Sequence, residues 1–569
     1  MSTTPEVEVA SSGIDHVSIH SLQPEIIIIG AGVIGCALAY SLSQSGRSVV
    51  LLERDLSEPD RIVGELLQPG GVAALEELGM ADVLDGIDAV PVEGYCIVSG
   101  EEKVGCPYPL LEEMAGIHQD GQEQNGKTNG ISAHIDKKGK WHVDSASGKK
   151  EGRSFHHGKL ISSLRRKVLN QAKNVTVLEA TVKDLVFCEH TNRVIGVSAS
   201  FKPASNTSSG EGKGNVGNSD DTRDSRPQPT GIVKKIYAPI TIIADGCFSK
   251  FRLTPGTRTP TPKTRSHFVG IILEDCKLPI QNMGTVCLTP SGPVLLYQIG
   301  REKGEVRMLV DVKGKLPSVG DGSLKRHIEA NYVPHLPTEL QSPVLSSLAT
   351  QRLRSMPNTF LPPSIQGLSN HLSGAILVGD AYNMRHPLTG GGMTVAFNDA
   401  IILTKYLKPS DQLPSGRAGL EDWDKVSEYL REWFWERKKL SGVVNVLSMA
   451  LYSLFGGADE PELEVLREGC VKYLGMGGER VAGPVGLLSA LTPAPLMLFY
   501  HFFSVAFYSI FLLLIKGPPN SSLRSTKSNA VLNPLLVLLT LPLNLIYSIK
   551  VFWTACVVLL PVIYTEFKV

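Results

Sequence analysis

Three glycines near the N-terminus have the spacing of a loop that binds a nucleotide pyrophosphate. Gly30, Gly32 and Gly35 follow a run of four isoleucines and open an Ala/Leu-rich segment typical of a helix. In such a loop the first glycine permits a tight turn, the second lets the backbone approach phosphate, and the third lets the helix pack on the strand. The phosphates then meet free N–H groups at the helix N-terminus.

A carboxylate completes this first motif. Glu53 ends the second predicted strand, 18 residues after Gly35, where it can accept hydrogen bonds from both hydroxyls of a ribose. A glycine-rich turn by itself is a weak signal, but strand, helix and carboxylate together predict a bound dinucleotide. They do not separate NAD from FAD.

A second motif favours FAD. The apolar residues 375–378 predict a buried strand that delivers Asp380 at its C-terminal end, where ligands sit in such sheets and where an acceptor can hold a sugar-like hydroxyl. The glycines at 390–392 and Met393 then open a helix, whose N-terminal dipole suits the anionic N1/C2 edge of a reduced flavin. A third segment, "ADGCFSKFR" at 244–252, predicts only a turn when taken alone.

Several elements must position these residues. Residues 25–55 predict a strand–helix–strand unit with a parallel sheet. Residues 265–312 alternate apolar and polar and predict an antiparallel sheet that could form one wall of a substrate cavity. Residues 393–407 predict the helix that follows the second motif.

The C-terminal part is strongly apolar. Residues 496–515 are long enough to cross a bilayer once, and residues 535–564 form a second apolar stretch. Prolines, Pro542 among them, are expected to break these stretches into short pieces. A membrane span, a monotopic helical plug that dips into the bilayer, and a buried pair of core helices therefore all stay open.

Composition excludes some classes of protein. Lys plus Arg and Asp plus Glu both number 56, so nothing indicates nucleic acid as a partner. The nine cysteines are scattered singly, which favours a reducing compartment over a disulfide framework and supports no metal site. The first 24 residues lack the basic start and apolar stretch of a cleavable signal peptide.

Longer strings of the sequence resemble one enzyme family. Residues 53–71 ("ERDLSEPDRIVGELLQPGG"), "GRSFHHGKLISSLRRK", "RSMPNTFLPPS", "GDAYNMRHPLTGGGMTVAFNDA" and "GGERVAGPVGLLSAL" closely resemble squalene monooxygenases, also called squalene epoxidases, and a fungal-type member in particular. The resemblance spans about residues 25–515, outside two polar insertions. It implies an α/β fold: a Rossmann-like FAD-binding domain of the p-hydroxybenzoate hydroxylase type, an antiparallel-sheet substrate domain and a C-terminal helical membrane region.

The resulting division of the chain has nine segments. It comprises a disordered N-terminus at 1–24, an FAD-binding domain in four parts at 25–115, 153–200, 231–255 and 366–410, polar insertions at 116–152 and 201–230, a substrate domain at 256–365, and a helical membrane-associated region at 411–569.

The resemblance also implies roles for individual residues. FAD contacts match Val33, Ile34, Glu53, Arg54, Arg61, Arg165, Val182, Asp380 and Met393. Tyr95 and Gln68 match an active-site pair in which the phenol bonds to the amide. Without the resemblance, Tyr95 would be an ordinary strand residue, and Arg61 and Arg165 would form surface salt bridges.

The implied reaction is the epoxidation of squalene to (S)-2,3-oxidosqualene with O2, in the biosynthesis of ergosterol. The flavin supplies the oxidative chemistry, and an apolar cavity excludes water. Only one dinucleotide motif is present, so the resemblance implies electrons from NADPH–cytochrome P450 reductase. It further implies contact with membrane lipid and a place in the endoplasmic reticulum membrane or on lipid droplets, with the catalytic part in the cytosol. The alternatives are a flavin-dependent hydroxylase of another lipid and a membrane-attached escort of prenylated proteins.

Overall fold

The structure is a computed structural model that describes residues 22–110, 132–135, 141–144, 150–202, 231–456, 460–517 and 534–568. Most of the N-terminus predicted to be disordered, and most of the two predicted polar insertions, lie outside the described residues.

The strands, in chain order, are β1 Ile26–Ile29, β2 Val49–Glu53, β3 Leu66–Leu67, β4 Val90–Val92, β5 Gly94–Ser99, β6 Glu102–Pro107, β7 Ser132–Ile135, β8 Trp141–Asp144, β9 Gly152–Ser154, β10 Val175–Phe187, β11 Val194–Phe201, β12 Ile232–Tyr237, β13 Ile240–Ile243, β14 Lys263–Leu273, β15 Met283–Thr289, β16 Gly292–Gln298, β17 Val306–Lys313, β18 Arg354–Phe360 and β19 Ala375–Leu377.

The α-helices are α1 Val33–Gln44, α2 Pro69–Glu77, α3 His157–Gln171, α4 Ser323–Asn331, α5 Thr338–Thr350, α6 Gly392–Leu407, α7 Arg417–Glu421, α8 Trp423–Phe455, α9 Pro461–Gly475, α10 Glu479–Leu488, α11 Pro495–Lys516 and α12 Pro534–Phe567.

A seven-stranded sheet with a parallel centre carries the first motif. Its order is β12-β11-β10-β2-β1-β13-β19, and β10, β2, β1, β13 and β19 run parallel. The four isoleucines of β1 are all buried, because helices cover both faces of a parallel sheet. This arrangement brings the C-terminal ends of β1, β2 and β19 to one edge.

A second seven-stranded sheet is largely antiparallel. Its order is β18-β14-β17-β16-β15-β5-β6, and its strands pair antiparallel except for β15 and β5. The predicted antiparallel sheet within residues 265–312 is confirmed as β14 to β17. A small sheet, β3-β9-β4, holds the connections between the two large sheets.

The C-terminal helices correct one prediction. Pro495 and Pro534 begin α11 and α12, but Pro542 lies inside α12 and does not divide it. A proline removes one hydrogen bond of the helical ladder, and the remaining bonds together with packing on α11 keep the helix continuous.

The two helices form an antiparallel pair, the C-terminal hairpin. Leu498 near the start of α11 belongs to the same buried hydrophobic cluster as Leu559 near the end of α12, and Leu513 belongs to the same cluster as Val551. Two stretches are apolar and long enough to cross a membrane, Pro495–Lys516 and Pro542–Phe567, and less than a third of each is buried. Their exposed apolar side chains include Phe507, Phe511, Ile549, Trp553 and Tyr564. These properties are consistent with membrane association.

Candidate active site

A cavity of about 890 Å³ lies between the two large sheets. Most of the residues singled out from the sequence line it: Gly30, Gly32, Val33, Ile34, Glu53, Arg54, Arg61, Gln68, Tyr95, Arg165, Val182, Asp380, Gly390, Gly392 and Met393. Gly35 and Gly391 do not. The structure thus brings together residues that are up to 363 positions apart in the chain, since both motifs end at the same edge of the parallel sheet.

The three glycines of the first turn have different structural roles. Gly30 has φ +104°, and a Cβ there would lie 2.5 Å from the carbonyl oxygen of Ala244. A Cβ on Gly35 would lie 1.8 Å from the carbonyl oxygen of Gly30, so this glycine permits the packing of α1 and stays behind the cavity wall. A Cβ on Gly32 would meet no protein atom within 4 Å. The backbone at Gly32 therefore has open space in front of it, at the N-terminus of α1.

Glu53 stabilises this turn through hydrogen bonding. Its Oε2 accepts a hydrogen bond of 2.7 Å from the N–H of Ala31 and lies 3.5 Å from an Nη of Arg165. Arg165 is buried and also donates to the carbonyl oxygens of Ala31 (3.0 Å) and Ser57 (2.9 Å). Arg165 is therefore a support of the turn and not a surface cation. Arg54 and Arg61 are exposed where they line the cavity.

Asp380 stands at the other end of the cavity, after β19. Asp380 is exposed toward the cavity, and the protein around the cavity desolvates its carboxyl and raises the pKa, against the lowering effect of Arg385, Arg61 and Arg252. Arg252 donates to the backbone oxygens of Asp380 (2.8 Å) and Ala381 (2.9 Å) and so fixes the position of this carboxylate.

The segment 244–252 is thus more than the turn that its sequence predicted alone. Asp245, Gly246, Cys247, Phe248 and Lys250 line the cavity. The sequence did contain a signal for this role: an Asp-Gly pair at a strand end, followed by an arginine seven residues after the aspartate. The backbone after β19 that this arginine contacts lies far along the chain, so the contact could not be predicted from spacing.

The helix after the second motif also opens toward the cavity. Gly390 has φ +63°, and a Cβ on Gly392 would meet no protein atom within 4 Å. The N-cap residue of α6 is Gly391, which offers no side chain to its free N–H groups. The cavity therefore has two uncapped helix N-termini, a carboxylate at each of two strand ends, and basic side chains. This donor set fits FAD, with α1 suited to a pyrophosphate and α6 to an electron-rich flavin edge.

The predicted hydrogen bond between Tyr95 and Gln68 is not formed. Gln68 is completely buried, donates through Nε2 to the carbonyl oxygen of Thr389 (2.7 Å), and accepts through Oε1 from the hydroxyl of Tyr108 (2.8 Å). Tyr95 packs edge-to-face on Tyr108, with ring centroids 5.7 Å apart. Its buried hydroxyl lies near both groups but makes no hydrogen bond of acceptable geometry in the described structure. Burial raises the pKa of Tyr95, so the phenol stays protonated.

A second, apolar cavity adjoins the first. It measures about 140 Å³ and is enclosed by β5, β6 and the helices α8 to α12. Tyr95, Val286, Leu388 and Thr389 line both cavities and form a shared wall. An apolar ligand in this cavity would therefore lie against the wall of the polar one.

Neither a disulfide nor a metal-binding cluster occurs among the described residues. All nine cysteines lie in the described part and are unpaired. Among the described residues, no three or more His, Cys, Asp or Glu side chains come together as a metal-binding group would require.

Comparison with known proteins gives consistent matches. A family model described as squalene epoxidase matches residues 237–526, and one described as FAD-dependent oxidoreductase matches residues 25–60. Squalene epoxidase erg1 of Aspergillus fumigatus is 40% identical over 95% of this chain and 93% of its own length. Squalene monooxygenase of Mus musculus is 38% identical over 96% of this chain and 78% of its own length.

Solved structures support the fold. That of p-nitrophenol 4-monooxygenase PnpA of Pseudomonas putida has a TM-score of 0.56 at 14% identity, covering 83% of this chain and 98% of its own. That of Klebsiella pneumoniae HpxO with FAD and uric acid has a TM-score of 0.52 at 16% identity, with coverages of 83% and 97%. The predicted fold class is confirmed.

Proposed function

This chain belongs to the squalene epoxidase family of FAD-dependent oxidoreductases, and on that premise we propose that it converts squalene to (S)-2,3-oxidosqualene in ergosterol biosynthesis. One oxygen atom of O2 enters the epoxide, and the other leaves as water with two electrons and two protons. The observation that carries this proposal is the wall shared by the polar and the apolar cavity, at Tyr95, Val286, Leu388 and Thr389.

FAD, when bound, supplies the activation of O2 and the electron transfer. The N-terminus of α1 would hold the pyrophosphate, Glu53 a ribose, and Asp380 a hydroxyl of the ribityl chain. Arg54, Arg61, Val182 and Met393 are proposed as further contacts on the lining of the cavity.

The apolar cavity would bind the alkene and exclude water. Its lining is almost entirely hydrocarbon, drawn from the second sheet and from the C-terminal helices. Excluding water limits the unproductive loss of activated oxygen as H2O2, so that the oxygen reacts with the alkene instead. Gln68, held by Tyr108 and by Thr389, orders the shared wall, and Tyr95 presents a protonated hydroxyl from it.

Partner and place follow from the same premise. We propose NADPH–cytochrome P450 reductase as the electron donor, since the sequence carries one dinucleotide motif. The exposed apolar side chains of the C-terminal hairpin support attachment to the endoplasmic reticulum membrane or to lipid droplets, where squalene dissolves.

The test uses the full chain, purified in detergent with FAD. With squalene, NADPH, the reductase and ¹⁸O2, we expect a product that co-elutes with 2,3-oxidosqualene. Because one ¹⁸O atom is added, its mass should be 18 units above that of squalene. Omitting the reductase should abolish it. Reduction of the flavin without any squalene product, alongside oxidation of a different lipid, would replace this proposal with the hydroxylase of another lipid.

A further inference from the structure

The last helix of the chain returns to the catalytic body and buries a carboxylate there. Glu566, at the end of α12, is only 4% exposed. Its Oε2 lies 2.6 Å from Nζ of Lys438 on α8, and the same Nζ donates to the backbone oxygen of Glu566 at 2.5 Å. A buried carboxylate needs such partners, because leaving it unpaired in the interior is strongly destabilising. The C-terminal hairpin is thus fastened to α8 by a buried ion pair.

A second contact of Glu566 leads toward the cavity. Its Oε1 accepts a hydrogen bond of 2.9 Å from Nδ2 of Asn445, and Nδ2 also donates to Oδ1 of Asn383 at 3.2 Å. Both acceptors face the amide nitrogen, so turning the Asn445 amide over would set its oxygen against two other oxygens. The orientation of Asn445 therefore depends on the Glu566 carboxylate.

Asn383 passes this orientation to an arginine on the cavity wall. Its Oδ1 also accepts from Arg385 (2.8 Å) and from Arg437 (3.2 Å), while its Nδ2 donates to the carbonyl oxygen of Leu361 at 2.9 Å. Arg385 lines the cavity, and its charge acts on the carboxyl of Asp380. Burial and the nearby Arg437 lower the pKa of Arg385 to about 10, and the charges of Asp380, Asp399 and Glu566 act in the opposite direction, so Arg385 stays a cation at neutral pH.

We propose that Glu566 is a positioning residue for the cofactor cavity: through Asn445 and Asn383 it sets the place of Arg385, and docking of the C-terminal hairpin is thereby coupled to FAD binding. The coupling is reciprocal, because a group that binds better to the docked state also stabilises docking. This inference rests on the proposed assignment of the cavity to FAD, and not on the identity of the oxidised substrate.

The experiment compares single variants of the full chain in detergent. Glu566→Gln keeps the size of the side chain but replaces one carboxylate oxygen with an NH2 donor. With the remaining oxygen held by Nζ of Lys438, this NH2 faces Nδ2 of Asn445, so the hydrogen bond that orients Asn445 is lost. We expect FAD to bind about tenfold more weakly in fluorescence titrations, the factor that 1.4 kcal/mol represents. The reduction potential of the bound flavin should also become more negative, since a displaced Arg385 stabilises the reduced, anionic form less.

Glu468→Gln is the matched control. Glu468 on α9 lies 3.1 Å from Nζ of Lys516 at the end of α11, so this pair also fastens the hairpin, but neither residue lines the cavity. FAD affinity and potential should stay at their wild-type values in this variant. Equal weakening in Glu468→Gln and Glu566→Gln would show a general effect of a loosened hairpin and overturn the proposal.

Asn445→Ala covers the case in which Glu566→Gln does not fold. It breaks the bridge while leaving the ion pair with Lys438 in place, and it should weaken FAD binding to a similar extent. If both variants fold, the double variant should bind FAD no more weakly than the single variant with the lower affinity, because both residues act through the same chain of contacts. Unchanged FAD affinity in a folded Glu566→Gln or Asn445→Ala refutes the coupling. Normal FAD binding by a wild-type protein that makes no epoxide would refute the proposed function alone.

Discussion

The two tyrosines at the shared cavity wall should respond in opposite ways to loss of the hydroxyl. Tyr108→Phe and Tyr95→Phe each keep the ring and delete one oxygen. The Tyr108 hydroxyl donates to Gln68 at 2.8 Å, whereas the Tyr95 hydroxyl is buried without a hydrogen bond of acceptable geometry. Tyr108→Phe therefore removes an interaction, and Tyr95→Phe removes a polar group that has none.

The magnitudes follow from burial. In Tyr108→Phe the Oε1 of the fully buried Gln68 loses its donor, which costs about 1–3 kcal/mol of unfolding free energy. In Tyr95→Phe no hydrogen bond is lost, so the unfolding free energy should stay equal or rise. Tyr95 lines both cavities, and its hydroxyl has no hydrogen-bond partner within the described protein. We therefore expect its removal to lower epoxide formation by about tenfold if it only positions a bound ligand, and by about 10²-fold if it stabilises the departing oxygen.

Three measurements on the two variants decide the matter: denaturant unfolding, FAD content, and epoxide formed beside H2O2 released. Tyr95→Phe should keep its stability and FAD but lose epoxide and release more H2O2. Tyr108→Phe should lose stability. A Tyr95→Phe protein with full activity and unchanged H2O2 release would remove its hydroxyl from the mechanism, and a destabilised one would refute the assignment of Tyr108 as the partner of Gln68.

Three further predictions concern the cofactor end of the cavity. Gly32→Ala should fold but purify without FAD, since the added Cβ enters the open space before α1, whereas Gly35→Ala should fail to fold because its Cβ would meet a carbonyl oxygen at 1.8 Å; circular dichroism and flavin absorbance distinguish the two. Asp380→Ala should weaken FAD binding by about 1–3 kcal/mol in fluorescence titrations, whereas Asp411→Ala on the surface should not. Burial lowers the pKa of His157 to about 4, so below pH 6.5 the unfolded chain binds a proton that the folded chain excludes. The unfolding free energy should therefore decrease as the pH is lowered through this window, by about 2 kcal/mol at pH 5. Denaturant titrations at pH 7.5 and 5 should show that His157→Gln abolishes this part of the pH dependence.

The sequence by itself determined the parts of the site that depend on local chemistry. The turn at Gly30 to Gly35 could be predicted because a positive φ and a contact too close for a Cβ are requirements on single residues. Glu53 and Asp380 could be predicted because each follows a short apolar strand, and parallel strands end at one edge. Long stretches of apolar residues likewise indicated α11 and α12.

Tertiary structure alone decided which side chains pair across the chain. Gln68 bonds to Tyr108 instead of the predicted Tyr95, although both tyrosines lie in one short stretch, because the pleat and register of β5 and β6 set which hydroxyl reaches the amide. Arg252 reaches the backbone at Asp380, and Glu566 reaches Asn445, over more than a hundred residues of sequence. Such pairs depend on how helices and sheets pack, and spacing along the chain carries no record of that packing. The same packing keeps α12 continuous through Pro542, where local propensity predicted a break.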